Sequence, residues 1–308
     1  MLPEEIHNKR ILISVLNWGM GHVSRCIGLI NELTNQKNTL FIAGSSDQIR
    51  VFKEYFPTIQ FIKHEGYPFK FSHAGNFSLN LLKQSGELKK RKNLEQQEVE
   101  AYVNKFGIDC ILSDHRYGFF SDTTHSIFIT HQLNLPVRKL EFLVDQLHLK
   151  LMKKFDEVWV MDYANNRLAG KLSKVRKGVS LSYIGPYSRF SIYDKDSLKV
   201  GHTVVISSGP LIYAQQFLDQ CLLKLDNENT IVVAPKEMNI SQDFTHISES
   251  WGEQDKVIMA AKKIVSKSGY STIMDLDYLK TEHQLYTTKG QREQEYLYKV
   301  HSNGKKLL

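Results

Sequence analysis

Cysteine is scarce: only Cys26, Cys110 and Cys221 occur in 308 residues. They lie far apart with no CxxC or mixed Cys/His spacing, so neither a zinc site nor a disulfide framework is expected, and they read as buried thiols. His64, His73, His125, His131 and His148 show no HExxH or HxH spacing, which leaves a metal enzyme with little support. Long hydrophobic runs are missing as well; no stretch approaches the roughly 20 uninterrupted apolar residues of a membrane-spanning helix. The segment Met1 to Arg10 is polar and charged and lacks the apolar core and small-residue cleavage site of a secretory signal, so a cytoplasmic location is expected. Neither low-complexity segments nor short-period repeats interrupt the chain.

What is present is an ordinary globular composition, 42% hydrophobic and 24% charged, in a length that suits two domains, each burying its own core. The net charge of +7 admits nucleic acid, an anionic membrane surface or a phosphorylated substrate as partner. Nucleic acid is disfavoured because no recognition motif or interleaved aromatic platform accompanies the basic residues. The densest basic cluster, Lys89-Lys90-Arg91-Lys92, is followed by the acidic stretch Glu95 to Glu100 and reads as a solvated mixed-charge helix face.

Strand and helix patterns alternate along the chain. Arg10 to Leu16 is a short apolar run ended by Asn17 and two glycines, a buried strand; from His22 onward Val23, Cys26, Ile27, Ile30 and Leu33 form one apolar helix face. Strands follow at Thr39 to Ala43, Ile59 to Lys63, Asp109 to Leu112, Ser126 to Thr130, Glu157 to Met161 and Ser182 to Ile184, with helices at Asp47 to Phe56 and Leu140 to Lys153. Gly66 to Lys92 is the least regular part, with Tyr67, Phe69, Phe71, His73 and Phe77 ahead of an amphipathic helix; such a segment suits either a flexible loop or contact with a membrane surface. The alternation restarts at Thr203 to Ser207, continues through helix Ile212 to Lys224, strand Thr230 to Ala234, helix Glu253 to Ala260, strand Lys263 to Ser266, helix Thr272 to Tyr278 and strand Gln284 to Thr287, and ends in helix Gln291 to His301. This predicts an α/β chain of two Rossmann-like, doubly wound parallel-sheet domains, 1–190 and 191–308, facing a cleft, with ligands at the carboxyl ends of strands.

Those strand ends hold the candidate chemistry. Gly19 and Gly21 let the backbone turn out of the first strand and set His22 at a helix N-terminus, whose positive end disfavours imidazolium and keeps the ring able to accept a proton. The same turn alone suits a structural or phosphate-holding role equally. Asp114, in the polar run Ser113 to Gly118, would fix the tautomer of His22 if it reaches the ring, or cap a turn if it does not. Ser207-Ser208-Gly209-Pro210 and Ser268-Gly269-Tyr270-Ser271-Thr272 each follow a strand and open a helix, as anion sites suited to a pyrophosphate do, although N-capping by Ser271 or Thr272 gives the same serines. Gly290 to Glu295 concentrates polar residues where a sugar or ribose could be gripped. Asp275-Leu276-Asp277 spells DxD, but inside a helix residues two apart point in different directions, which excludes it as a metal site.

With these residues in view the chain resembles the GT-B glycosyltransferases that include the UDP-N-acetylglucosamine transferases of bacterial peptidoglycan and lipopolysaccharide synthesis. The likeness is carried by Gly19-Met20-Gly21-His22-Val23-Ser24-Arg25, Ser113 to Gly118, Phe128 to Gln132, Ile184 to Phe190, Lys267 to Leu276 and Gly290 to Leu297. The resemblance implies inverting, metal-independent transfer of an N-acetylhexosamine or hexose from a UDP-sugar, the co-substrate in place of any cofactor, to a hydroxyl acceptor such as a glycan or lipid-linked glycan. His22 would be the base and Asp114 its partner, with Gly19, Gly21, Arg25 and Arg116 on the acceptor side. The donor would be held by Arg189, by the Ser208-Gly209 and Ser268-Gly269 turns with Tyr270, Ser271 and Thr272, by Asp275 on the ribose, and by Gln291, Glu293 and Gln294. Thr288-Lys289-Gly290 stands where relatives carry a proline-rich lead-in, and Leu211-Ile212-Tyr213 where they are more polar. A UDP-sugar 2-epimerase, or an inactive nucleotide-sugar-binding relative, is the alternative.

Overall fold

The computed structural model describes residues 1–68, 84–137, 142–194 and 200–302. Phe69, Phe71, His73 and Phe77 of the aromatic segment lie outside the described residues. The chain divides into two compact units, Met1–Tyr187 and Ser188–Leu308.

In the first unit the described elements are β1 (Arg10–Val15), α1 (Gly21–Asn35), β2 (Thr39–Gly44), α2 (Ser46–Tyr55), β3 (Gln60–Lys63), α3 (Ser85–Phe106), β4 (Cys110–Asp114), β5 (His125–Thr130), α4 (Phe142–Met152), β6 (Glu157–Val160) and β7 (Leu181–Tyr183). The seven strands form one sheet in the order β3-β2-β1-β4-β5-β6-β7, and every pairing is parallel. A parallel sheet buried on both faces needs apolar residues at consecutive positions, and β1 is buried without a break from Ile11 to Val15. Val99 and Val103 of α3 pack on Leu12, Phe41 and Ile111 of the sheet. Each such side chain, taken fully out of water, contributes on the order of 1.5–3 kcal/mol.

The second unit holds β8 (Val200–Ile206), α5 (Leu211–Leu222), β9 (Thr230–Val233), β10 (Thr245–Ile247), α6 (Trp251–Ala260), β11 (Ala261–Lys267), α7 (Tyr270–Leu279), β12 (Glu282–Tyr286) and α8 (Arg292–His301). Its five-stranded sheet runs β10-β9-β8-β11-β12, again parallel throughout. Phe217 and Leu218 of α5 seal it against Val205, Val232 and Val265.

One element was not anticipated and one local expectation is corrected. The edge strand β10 has no apolar run to announce it, being only Thr-His-Ile. The charged helix α3 is not a solvated face throughout: Arg91 and Glu95 are buried while Lys89 and Lys90 are exposed. Arg91, Glu95, Val99 and Val103 recur every four residues, so they share the stripe that faces inward.

Candidate active site

In the first sheet the chain leaves β1 toward β2 and leaves β4 toward β5, so the switch in strand order falls between two adjacent strands, whose carboxyl ends border a crevice. Gly19, at φ +150°, lets the chain turn there into α1, which places His22 in the first helical turn. Strand β4 runs on through Asp114, beyond the expected end at Leu112, and pairs Asp114 with Val15 of β1. The two side chains meet: His22 Nδ1 lies 2.9 Å from Asp114 Oδ2. Asp114 is fully buried, whereas the His22 side chain keeps 20% of its surface open, as a group that must reach a ligand requires.

Arg25 was expected on the acceptor side. One turn along α1 from His22, it is 3% exposed and its guanidinium is turned to Asp114. Its Nε donates to Asp114 Oδ2 at 3.0 Å, and its Nη2 donates to Oδ1. Nη1 donates to Nδ1 of His131 at 2.7 Å, and Nη2 lies 2.8 Å from His22 Nδ1, so guanidinium and imidazole approach the carboxylate side by side. Burial by itself would raise the Asp114 pKa, but Arg25 and His22 together hold it well below the usual carboxylate range.

Behind His22 the first unit stacks further imidazoles. His115, in the left-handed region at φ +57°, has its ring 5.6 Å from that of His22 and 6.2 Å from that of His148. His148 donates from Nε2 to the Gln132 carbonyl at 2.7 Å, which leaves Nδ1 to accept the Tyr117 hydroxyl at 2.7 Å. Burial lowers the pKa of His115 well below the ordinary value and that of His148 to about 4, so both rings are neutral at pH 7. Arg116, expected on the acceptor side, is fully buried; its Nε donates to Glu95 Oε1 at 2.6 Å and its Nη2 to the Glu65 carbonyl at 2.6 Å. It braces α3 against the loop after β3.

The second sheet changes direction between β8 and β11, and the two glycine turns sit there, one after each strand. Gly209 takes φ +94° and lies exposed with Ser208; α5 then starts from Pro210 with no side chain capping it. Helix α7 starts from Gly269, also without a side-chain cap, so Ser271 and Thr272, both half-buried within the first turn, do not serve as caps. Elsewhere helix starts are closed by serine: Ser45 Oγ accepts from Gln48 N and Ser250 Oγ from Glu253 N. Ser268 is buried, and its hydroxyl donates to the carbonyls of Tyr286 and Gln294, which ties the start of α8 to the turn; Tyr270 is buried beside it. At the start of α8, Gln294 Nε2 donates to Gln291 Oε1 at 2.8 Å, and Glu293 is half-buried between them.

Lower on α7, Asp275 is engaged by its own unit. It accepts from Ser188 Oγ at 2.6 Å and from Arg189 Nη1 at 2.9 Å, while Arg189 Nε donates to Asp255 at 2.6 Å. Burial pushes the Asp275 carboxyl up to about 6 despite Arg189 and Ser188 beside it. Asp277 of the DxD run faces elsewhere and pairs with Lys280.

No family model and no curated protein matches the chain. Solved structures do. The glycotransferase of kitacinnamycin superposes with a TM-score of 0.64 at 13% identity, over 97% of this chain and 85% of that one. Arabidopsis thaliana UGT89C1 gives 0.60 at 11% identity, over 96% and 83%. SsfS6, a Streptomyces sp. SF2575 glycosyltransferase complexed with thymidine diphosphate, gives 0.59 at 12% identity, over 95% and 86%. The chain has the GT-B fold.

Within this GT-B fold the structure brings His22, Asp114 and Arg25 together at one switch point and Ser208, Gly209, Ser268 and Gly269 at the other. Two residues at these points stand in motifs the sequence singled out but were assigned no role there. His131, at the end of β5, is held by Arg25. Lys267, the last residue of β11, sits between the two glycine turns, its Nζ donating to the Ser208 carbonyl at 2.6 Å. A lysine directly before a Ser-Gly turn at a strand end is the signal that could have found it.

Proposed function

We propose that this chain transfers a sugar from a nucleoside-diphosphate sugar to a hydroxyl acceptor, with inversion and without a metal ion. The observation that supports it is the pairing of a partly open imidazole, His22, with a fully buried carboxylate, Asp114, at the switch point of the first sheet. With Nδ1–H donated to Asp114, Nε2 is the nitrogen left to take a proton. The acceptor hydroxyl gives its proton to Nε2 as its oxygen bonds to the anomeric carbon, on the face opposite the nucleotide. The anomeric C–O bond breaks, and the diphosphate leaves with the electron pair. Amides at the starts of α5 and α7 meet that developing charge, an electrostatic contribution fixed in advance by the fold.

Gln291, Glu293 and Gln294 are assigned to the donor sugar, and Asp275 to the ribose in exchange for its bond to Ser188. The sequence likeness favours uridine diphosphate and an N-acetylhexosamine or hexose; the thymidine diphosphate bound by SsfS6 makes thymidine the second base to test. A glycan or lipid-linked glycan is the proposed acceptor, with access from the surface of a membrane. A panel of UDP- and TDP-sugars screened by thermal shift, followed by acceptor-dependent release of the diphosphate, tests the reading. His22→Ala should lose transfer and keep nucleotide affinity within about twofold; unchanged turnover in that variant sinks the assignment. Diphosphate release without any acceptor points instead to an epimerase. The engagement of Asp275 by Ser188 and Arg189 favours one other reading, a nucleotide-sugar-binding protein, for which nucleotide binds and no acceptor is glycosylated.

A further inference from the structure

At the carboxyl end of the second sheet a buried cation stands without an opposite charge among the described residues. Lys267 is 9% exposed, and the acceptor of its Nζ is the neutral carbonyl of Ser208. Among the described residues no carboxylate pairs with it, and no acidic residue lies in the first turn of α5 or α7. An ammonium carries three donors, so one is used and the charge is unbalanced. Burial, with no opposing charge to offset it, lowers the pKa to about 8. A fold that keeps a desolvated charge without a partner pays for it in stability, and such groups cluster where a ligand supplies the missing charge.

The surroundings fit an anion. Lys267 ends β11 and Ser208 follows the end of the neighbouring β8, at the switch in strand order. A Cβ built on Gly209 would stand 3.7 Å from the Lys267 ammonium, and one built on Gly269 would meet nothing within 4 Å, so the space beside each glycine is open and the ammonium borders it at Gly209. The helices α5 and α7 start after these turns without side-chain caps, and the first turn of a helix favours negative charge.

We propose that Lys267 is the counter-charge of a diphosphate, its ammonium taking phosphate oxygens while the first amides of α5 and α7 take others. This rests on reading the second unit as the donor site and adds to it the side chain that makes binding depend on the phosphates. The same ammonium neutralises the diphosphate as the anomeric bond breaks, so its loss lowers both affinity and turnover.

The test is calorimetric titration of the full chain with UDP, uridine and inorganic pyrophosphate, for wild type, Lys267→Met and Lys267→Arg. UDP and pyrophosphate affinities are expected to fall at least tenfold in Lys267→Met and to return in large part in Lys267→Arg, with uridine binding unchanged. A lysine that only shapes the turn would move uridine as much as UDP, and that result overturns the proposal. Equal UDP affinity in wild type and Lys267→Met overturns it and leaves the donor reading standing. If wild type binds pyrophosphate through Lys267 but not UDP, the anion site stands and the donor reading falls; binding of neither by wild type removes both. Arg at this position keeps the charge, so a Met variant that fails to fold still leaves the Arg variant and the comparison of UDP with uridine in wild type to decide the question.

Discussion

Arg25 and His22 share the single buried carboxylate of Asp114. Asp114 is therefore asked both to balance a guanidinium and to orient an imidazole, and the two duties separate by substitution. Asp114→Asn leaves Arg25 buried without a counter-charge, a loss of roughly 3–5 kcal/mol. Arg25→Met combined with Asp114→Asn removes both charges and should recover most of that stability in urea denaturation. Transfer should not recover: both variants are expected to lose about 10³–10⁴ in kcat, because His22 has lost the carboxylate that fixes its tautomer and stabilises the imidazolium. Recovery of activity in the double variant would remove Asp114 from the mechanism.

The buried imidazoles set an acid limit on stability. His115 and His148 have folded pKa values below the ordinary value, about 4 for His148. Between the unfolded value near 6.5 and the folded value the unfolded chain binds more protons, so stability falls as pH falls, by up to about 1.4 kcal/mol per pH unit for each ring. The carboxylates of Asp114 and Glu95, both depressed in the folded state, contribute stability that is present above roughly pH 4 and is lost below it. Thermal unfolding followed from pH 7.5 to 3 should show a continuous decline beginning near pH 6.5. A flat melting temperature down to pH 4.5 would contradict the neutral assignment of the two rings.

Glu95 and Arg116 form a second buried pair, one with no proposed part in transfer. Glu95 also receives Tyr67 and His64, so Glu95→Gln strips the charge from a four-membered network and leaves Arg116 uncompensated. The expected cost is again on the order of 3–5 kcal/mol, with the acceptor KM of the surviving folded protein unchanged within about twofold. Gly118→Ala should act on the same place, since its Cβ would fall 2.3 Å from the Lys92 carbonyl. An altered acceptor KM without loss of stability would return Arg116 to the acceptor side.

The alternation of strands and helices was legible because nearly every strand of a parallel sheet is an apolar run and the glycine turns mark the strand ends. His22 and Asp114 were legible as a pair for the same reason: each follows or closes such a run. Arg25 was not, since an arginine three residues after a histidine on a helix reads alike whether it faces solvent or a carboxylate 89 residues away. Arg91 and Glu95 misled in the other direction. Charged residues spaced four apart suggest a solvated stripe, and partners distant in sequence, Arg116, His64 and Tyr67 on Glu95, turn that stripe inward. The link from Lys267 to Ser208 spans 59 residues and depends on β8 and β11 being neighbours, which sheet order decides and local pattern does not.

Lys267 also has a thermodynamic signature that needs no ligand. Its pKa is lowered from 10.5 to about 8, so below pH 8 the folded protein carries the full cost of a buried ammonium. Between 8 and 10.5 the unfolded chain binds the extra proton and stability rises with pH. The cost at pH 7 is on the order of 3 kcal/mol. Lys267→Met removes it, and the Ser208 carbonyl, on an exposed residue, can turn to water. The nucleotide-free Lys267→Met protein should therefore melt several degrees higher than wild type at pH 7, by about 2–4 °C per kcal/mol, and the advantage should shrink as pH approaches 10. A lysine retained for packing would give the opposite sign, a lower melting temperature at every pH. Stabilisation of the empty protein together with weakened diphosphate binding is the combination that a residue kept for its charge must show.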